Sequence, residues 1–469
     1  MTETNSKTTW ILAPLALFMF FVPNFSGDQI FQLDKIYLLT TFLVLFGGVI
    51  FLTRQNYRNA LTKPVFFLLL GYMIWTYFTN TLLSSHPEYT LIGWPKWYGG
   101  YFFHALLTIL FLMSGLLSRI RPKIPTFTYI DVLFFFSILL CLLCILEMLG
   151  FNPILGSKWL ALLGAKVSDT SSMSYPTVTL GNSGWVAGMW LLLAPLPFLL
   201  KQNRPTQVIL WHTVNALGIA STHSKAVLGI YVVMHIGAVI WSLRKKTRNV
   251  LFTSLLSICI ACLGLSALRA ANTLLYRAGA PVRDANKIIF NAANYEGSLT
   301  DRLIIYKSTL KLIQERPLQG WGYETLHYNF YRPLSESDTT AFISRVLPPK
   351  KDEIVHLKGN FIYTTPKDQP STITQAQIYF MVKPHNALLE EWYSNGLIGL
   401  GLILSALVLC VRQILRNGGF EEKILLLSCV LYGAYLMLWF TTIGVTPLAV
   451  VLLAFALRGS QPSPTTVKV

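Results

Sequence analysis

Long apolar runs separated by short polar links repeat along this chain from Trp10 to Leu457. A helix needs roughly 20 apolar residues to cross a bilayer. By that measure, runs at about 10–25, 36–52, 64–80, 101–118, 129–149, 183–200, 206–221, 225–243, 250–268, 386–414, 422–441 and 443–458 predict about twelve transmembrane helices. One interval breaks the rhythm. From about 269 to 384 the chain is polar enough, and long enough, to fold as a unit of its own. Inside it, Ser298-Leu299-Thr300-Asp301 resembles a capping box with Asp in place of the usual Glu. Leu299, Leu303, Tyr306, Leu310 and Ile313 follow at helical spacing, and Pro317 stops the run. This pattern predicts an interfacial helix over 299–316, apolar stripe toward the membrane and Lys307 and Lys311 opposite. Glu353 to Thr365, around Gly359-Asn360, reads as a hairpin, and Gln375 to Val382 as a further strand. Gly320-Trp321-Gly322 follows a helix rather than a strand, so it reads as a turn and not as a nucleotide loop.

Composition supports the same class. The chain is 53% hydrophobic and 13% charged, where soluble proteins carry roughly 25% charged residues; mean hydropathy is +0.51. The net charge of +17 is better explained by basic cytoplasmic links than by nucleic acid, because those links show the positive-inside bias. Arg54, Arg58 and Lys63 follow the second run, and Arg119, Arg121 and Lys123 the fourth. Lys201 and Arg204 follow the sixth, Arg244 to Arg248 the eighth, Arg412, Arg416 and Lys423 the tenth, and Arg458 and Lys468 the last. Every even exit is basic, which places both termini in the cytoplasm and the odd exits outside. Glu3 and Lys7 precede the first run and no small-residue cleavage site follows it, so it reads as a retained helix. The expected organisation is a membrane bundle over 1–268, an extracytoplasmic loop domain over 269–384 between spans nine and ten, closing helices over 385–460, and a cytoplasmic tail over 461–469. All six cysteines lie in apolar runs, so their CxxC spacings read as buried small residues rather than a disulfide or zinc framework.

The chemistry gathers where the polar interval meets the tenth run. His385 follows Pro384, a residue suited to a first helical turn, and a helix N-terminus attracts anions. Ionisable groups at that depth are costly, which makes His385 a functional candidate against the alternative of a polar anchor. Arg302 and Lys225 are candidate cations, weighed against a headgroup contact and a snorkelling side chain. Glu390 and Glu391 lie one to two turns into the tenth run, and at most one belongs to the His385 face. Tyr328, Phe330, Tyr331, Phe361, Tyr363, Tyr379 and Phe380 suit either sugar stacking or a small core. The absence of GxxxxGK[ST] and of DxD disfavours an ATP-driven pump and a metal-dependent sugar-nucleotide transferase.

Four segments resemble the O-antigen ligase and polymerase superfamily. They are Thr179-Leu180-Gly181-Asn182-Ser183-Gly184 through Gly188; Ser221-Thr222-His223-Ser224-Lys225 through Leu228; Asp301-Arg302 through Glu315-Arg316-Pro317-Leu318-Gln319-Gly320-Trp321-Gly322; and Pro384-His385-Asn386 with Asn395-Gly396-Leu397-Ile398-Gly399. Trp94 to Tyr101 is faintly similar to a third-loop segment of some members. The resemblance implies an all-α, polytopic, membrane-embedded glycosyltransferase (GT-C-like) fold with one large extracytoplasmic loop. It implies transfer of a glycan from undecaprenyl pyrophosphate to an acceptor hydroxyl at the outer face of a bacterial inner membrane, with no metal or other cofactor. The implied partners are that lipid-linked donor, a lipid, glycan or protein acceptor, and membrane lipid, with no nucleic acid. By the same resemblance His385 contacts or deprotonates the acceptor, Arg302 binds pyrophosphate as a catalytic cation, and Lys225 holds the second cationic position. Asn386, Glu390, Glu391, Arg277 and Arg283 are supporting candidates. The family usually has arginine where this chain has Lys225, and lysine keeps the charge but loses the two-pronged fit. Polymerase and protein O-oligosaccharyltransferase share the donor and the motifs, whereas a transporter is the alternative from a different class.

Overall fold

The computed structural model describes residues 32–52, 63–94, 98–117, 129–149, 178, 180, 182–200, 204–279, 292–346, 352–358, 361–378, 381–442 and 444–460. The apolar runs at 36–52 and 64–80 become α1 (Gln32–Leu52) and α2 (Lys63–Phe78), the latter continuing through a wide turn at Thr79–Leu83. A short α3 (Pro87–Ile92) precedes α4 (Tyr101–Leu117) and α5 (Tyr129–Met148). Next come α6 (Ser183–Leu193), α7 (Pro205–Ser221), α8 (Lys225–Lys245) and α9 (Arg248–Arg277). The polar interval supplies α10 (Ala292–Glu315), α11 (Leu326–Asn329), α12 (Glu336–Val346) and strands β1 (Glu353–Lys358), β2 (Phe361–Pro366) and β3 (Gln375–Ile378). The chain closes with α13 (Ala387–Asn417), α14 (Phe420–Leu436) and α15 (Thr446–Gly459). Every expected span from 36–52 onward contains a helix. The sixth is α6 plus a 3-10 turn at Leu196–Leu199, because Pro195 and Pro197 end the regular helix. The run at 10–25 and the tail at 461–469 lie outside the described residues.

Five of these helices are long and apolar enough to cross a membrane by length and composition. Their outer faces agree: Val233 on α8 and Leu263 on α9 are 69% and 70% exposed, a loss of burial that water would penalise and lipid would not. The shared interior is aromatic and tight, with Trp185, Trp190, Trp211 and Tyr231 fully buried. Helix α9 packs along α7 and α8, α5 packs on α7, α13 on α2, and α15 on α14 and α4. Cys259 and Cys262 on α9 are exposed, which corrects the expectation that all six cysteines are buried; on a lipid-facing surface an apolar side chain does not need cover.

The polar interval has its own apolar cluster, and it revises three expectations. Helix α10 begins at Ala292, so residues 298–301 lie within it rather than capping it. Its buried stripe is Ile304, Ile305, Leu312 and Ile313, packed with Trp321, Leu326, Phe330, Phe342, Ile343, Ile362 and Tyr393. Leu303 and Leu310, expected on that stripe's face, are 58% and 41% exposed. Both faces of α10 carry apolar residues, and packing against α12 and the 321–330 segment selects one of them. Lys307 pairs with Asp338 at 2.5 Å, and Lys311 donates to the Pro333 carbonyl at 2.8 Å. Finally, the fold is not all-α: β1, β2 and β3 form an antiparallel sheet in that order, with Lys358 opposite Phe361. The register leaves two residues, Gly359 and Asn360, for the turn, which itself lies outside the described residues.

A backbone interlock joins this interval to α13. After Pro317 the chain runs into a break in that helix, where Gly396 has φ 66 and ψ −174. The Trp321 N–H donates to the Tyr393 carbonyl at 2.8 Å and Gly322 N–H to Ser394 at 2.9 Å, while Leu397 N–H donates to Pro317 at 2.8 Å. The two backbones approach so closely that a Cβ on Gly396 would lie 2.0 Å from the Leu318 carbonyl oxygen. Gly320 faces the break from the other side with φ 74, its Cβ position 2.6 Å from the Gly396 nitrogen. Only residues without a Cβ fit.

Candidate functional site

His385 sits two residues before the first turn of α13. Asn386, not Pro384, caps the helix: its side chain accepts from Leu389 N–H at 3.0 Å, and its Nδ2 donates to the Met437 carbonyl at 2.8 Å. The capping residue therefore ties the start of α13 to the end of α14. His385 itself takes a left-handed backbone with φ 55, a conformation uncommon outside glycine and frequent at functional sites. Its carbonyl accepts a hydrogen bond from Tyr306 on α10 at 3.3 Å. Its buried Nδ1 has no hydrogen-bond partner among the described residues.

Two aromatic rings after α14 gather the charged groups. The His385 ring meets Trp439 edge-on at 5.1 Å and Phe440 at 5.4 Å. The Arg302 guanidinium carbon lies 5.9 Å from the Trp439 centroid, and the Lys383 ammonium 5.2 Å from Phe440, both within cation–π range. Arg302 and Tyr306 are one turn apart on α10, so a single helix face reaches His385 twice. The neighbouring acid, Asp301, is paired with Arg345 at 2.5 Å, and Arg302 makes no ion pair among the described residues. Burial first, then the Arg302 charge, pulls His385 down to about 4. The ring is neutral at ordinary pH.

The first family-like segment arrives at the same rings. Asn182 caps α6 by accepting from Gly184 N–H at 2.7 Å, Tyr435 donates to the Gly184 carbonyl at 2.6 Å, and Trp185 meets Phe440 at 6.4 Å. Lys225 opens α8, exposed, just after the cap Ser224. Arg277 ends α9 and is exposed, and Arg283 lies outside the described residues. Of the aromatic candidates, Phe330 is core and Tyr328 is 40% exposed; Tyr379 and Phe380 lie outside the described residues.

The two acids part company. Glu390 accepts from Lys383 at 2.7 Å, and Lys383 also pairs with Glu324 at 3.3 Å, all three being buried. The other Glu324 oxygen accepts from Trp94 N–H, and Gly99 N–H donates to the first at 2.9 Å. Burial alone would lower the Lys383 ammonium, but Glu390 and then Glu324 outweigh it and hold it above the usual lysine value. Glu391 turns away into a separate cluster, accepting from Tyr323 at 3.0 Å, Tyr72 at 3.2 Å and Asn395 at 2.7 Å. Sequence reasoning missed Glu324, Lys383, Trp439 and Phe440. Lys383 had a signal in its place beside Pro384-His385, whereas the others had none. Among the described residues no group of three or more His, Cys, Asp or Glu side chains is placed to hold a metal ion.

Residues 210–344 match the O-antigen ligase family. The matched stretch holds Lys225 and Arg302 and supports the resemblance to the O-antigen ligase and polymerase superfamily. It supports a ligase- or polymerase-type function acting on lipid-linked glycans in general terms. No curated protein matches the chain.

Proposed function

We propose that this chain is an O-antigen ligase-type glycosyltransferase of a bacterial inner membrane. It moves a glycan from undecaprenyl pyrophosphate to an acceptor hydroxyl at the outer face, with both termini cytoplasmic. The observation that carries the reading is the meeting of neutral His385 and Arg302 at Trp439. In the reaction the anomeric C–O bond to pyrophosphate breaks and a C–O bond to the acceptor forms. The electron pair of the broken bond leaves on pyrophosphate, where Arg302 stabilises it. The acceptor proton passes to His385, a contribution of roughly 10²–10⁴-fold. A base lowered by burial and by Arg302 is a weak one, but bound pyrophosphate offsets the Arg302 charge and raises the imidazole when it is needed. Asn386 and the Lys383–Glu390 pair position His385, and Lys225 supplies a further cation.

Purified protein in proteoliposomes, given lipid-linked glycan and candidate acceptors, tests the reading. His385→Ala and Arg302→Ala should each reduce transfer by about 10²-fold or more while the folded protein persists. Wild-type turnover in both variants would refute it. Glycan that lengthens while still on its carrier identifies a polymerase. Transport of glycan at full rate in His385→Ala, with no transfer by wild type, identifies a transporter.

A further inference from the structure

The segment after α10 locks onto the link that carries α3. A Cβ on Gly322 would lie 2.5 Å from the Thr90 methyl carbon and 3.0 Å from Ser84 Oγ. Tyr323 N–H donates to Asn80 Oδ1 at 2.7 Å, the Thr90 hydroxyl donates to the Asn80 carbonyl at 2.5 Å, and Arg316 donates to the Leu83 carbonyl at 3.4 Å. Five rings meet along this seam. His86 stacks on Tyr328 with centroids 3.8 Å apart and planes 15° from parallel. Tyr89 lies 5.9 Å from Tyr328 and 5.0 Å from Trp94, and His327 stands among them, 3.9 Å from Tyr328 and 4.4 Å from Trp94. Only His327 is buried; His86, Tyr89 and Trp94 are half-buried, and Tyr328 is 40% exposed. The Glu88 carboxylate stands 3.7 Å from His86 Nδ1 with its side chain 60% exposed.

Open rings on a fixed backbone, with a carboxylate at their rim, suit a ligand that has both C–H faces and hydroxyl edges. A sugar has both: its C–H face packs on an aromatic ring, and its hydroxyls donate to a carboxylate in charge-assisted hydrogen bonds. The cluster is also tied to the site around His385. Trp94 N–H donates to Glu324, whose other oxygen meets Lys383 at 3.3 Å. Lys383 lies 5.2 Å from the Phe440 ring that His385 meets at 5.4 Å. One ion pair therefore spans the gap between the Trp94 backbone and the segment that holds His385. The rings are too far from His385 to touch the reacting carbon, yet close enough for a neighbouring unit of the same glycan.

Building on the proposed function, we propose that His86, Tyr89, Trp94 and Tyr328, with Glu88 at their edge, form a saccharide subsite that holds a sugar unit remote from the reacting bond. That sugar belongs to the donor glycan or to the acceptor, and the two are separated by assay. The full-length protein in nanodiscs is given the lipid-linked oligosaccharide that the wild type transfers, either whole or trimmed to its first sugar, and in a second series a whole or trimmed acceptor. Trp94→Ala and Tyr328→Ala should raise KM for the whole substrate about five-fold or more, with smaller changes for the trimmed one and in kcat. Tyr328→Phe keeps the ring face and should recover most of the affinity. A rise confined to the whole donor assigns the sugar to the donor, and one confined to the whole acceptor assigns it to the acceptor. Tyr328 is the most exposed of the rings, so its variants cover the case in which Trp94→Ala does not fold. A folded Tyr328→Ala whose KM does not rise overturns the inference and leaves the proposed function standing. So does a rise equal for whole and trimmed substrates, which is what loss of an interfacial aromatic anchor would give. A wild-type protein that transfers no glycan overturns both.

Discussion

Gly396→Ala is the sharpest perturbation of this fold. The backbone there, φ 66 and ψ −174, lies in a region essentially restricted to glycine, and an L-residue in it costs about 1–3 kcal/mol. The added methyl would also sit 2.0 Å from the Leu318 oxygen and 2.2 Å from its carbonyl carbon. Backbone cannot swing aside as a side chain does. Relief requires parting the strand-like contact made by Trp321, Gly322 and Leu397 N–H groups, each worth about 1 kcal/mol net. Together these give a destabilisation of about 4 kcal/mol, in the range that marks a special mechanism. Because the first turns of α13 carry the Asn386 cap, a shift of the break moves His385, and a misplacement of about 1 Å can cost ~10²-fold in rate. Thermal melts of detergent-solubilised protein and transfer assays should show both losses. Gly401→Ala is the control, since a Cβ there meets nothing within 4 Å. A Gly396→Ala protein that melts and turns over like Gly401→Ala would refute the reasoning.

Three further outcomes follow from the charged groups. Burial and then Arg302 lower His385, so Arg302→Gln should raise its pKa part of the way from about 4 toward the ordinary histidine value. The acid limb of kcat/KM then moves to higher pH and the rate falls; an unmoved limb in a folded variant would separate the two residues. Lys383→Met leaves Glu324 and Glu390 buried without their cation and should destabilise by about 3–5 kcal/mol, measured by denaturation. Adding Glu390→Gln to that variant should recover part of the loss, and no recovery would show that the pair is not coupled.

The helices were legible because a run of apolar residues long enough to span lipid has few other solutions. The face of α10 was not. Leu303 and Leu310 alternate with Ile304, Ile305, Leu312 and Ile313 around one helix, and only the partner cluster decides which set is buried. Resemblance to a family pointed to Arg302 and His385, and the structure brings them to one ring. The ring itself was hidden: Trp439 is one of twelve tryptophans in a chain that is 13% aromatic, so its type carried no signal. Glu324 was hidden for another reason. Its partners, Trp94, Gly99 and Lys383, come from segments far apart in sequence, and no local spacing encodes such a meeting.

The use of rings rather than carboxylates beside Arg302 has an electrical consequence. An acidic partner would fix the guanidinium by cancelling it, and an incoming diphosphate would have to displace a counter-ion first. The face of an indole restrains a cation through its quadrupole and carries no net charge. The potential felt by a ligand is therefore almost undiminished. Trp439 can hold Arg302 near His385 while leaving its whole charge for whatever arrives.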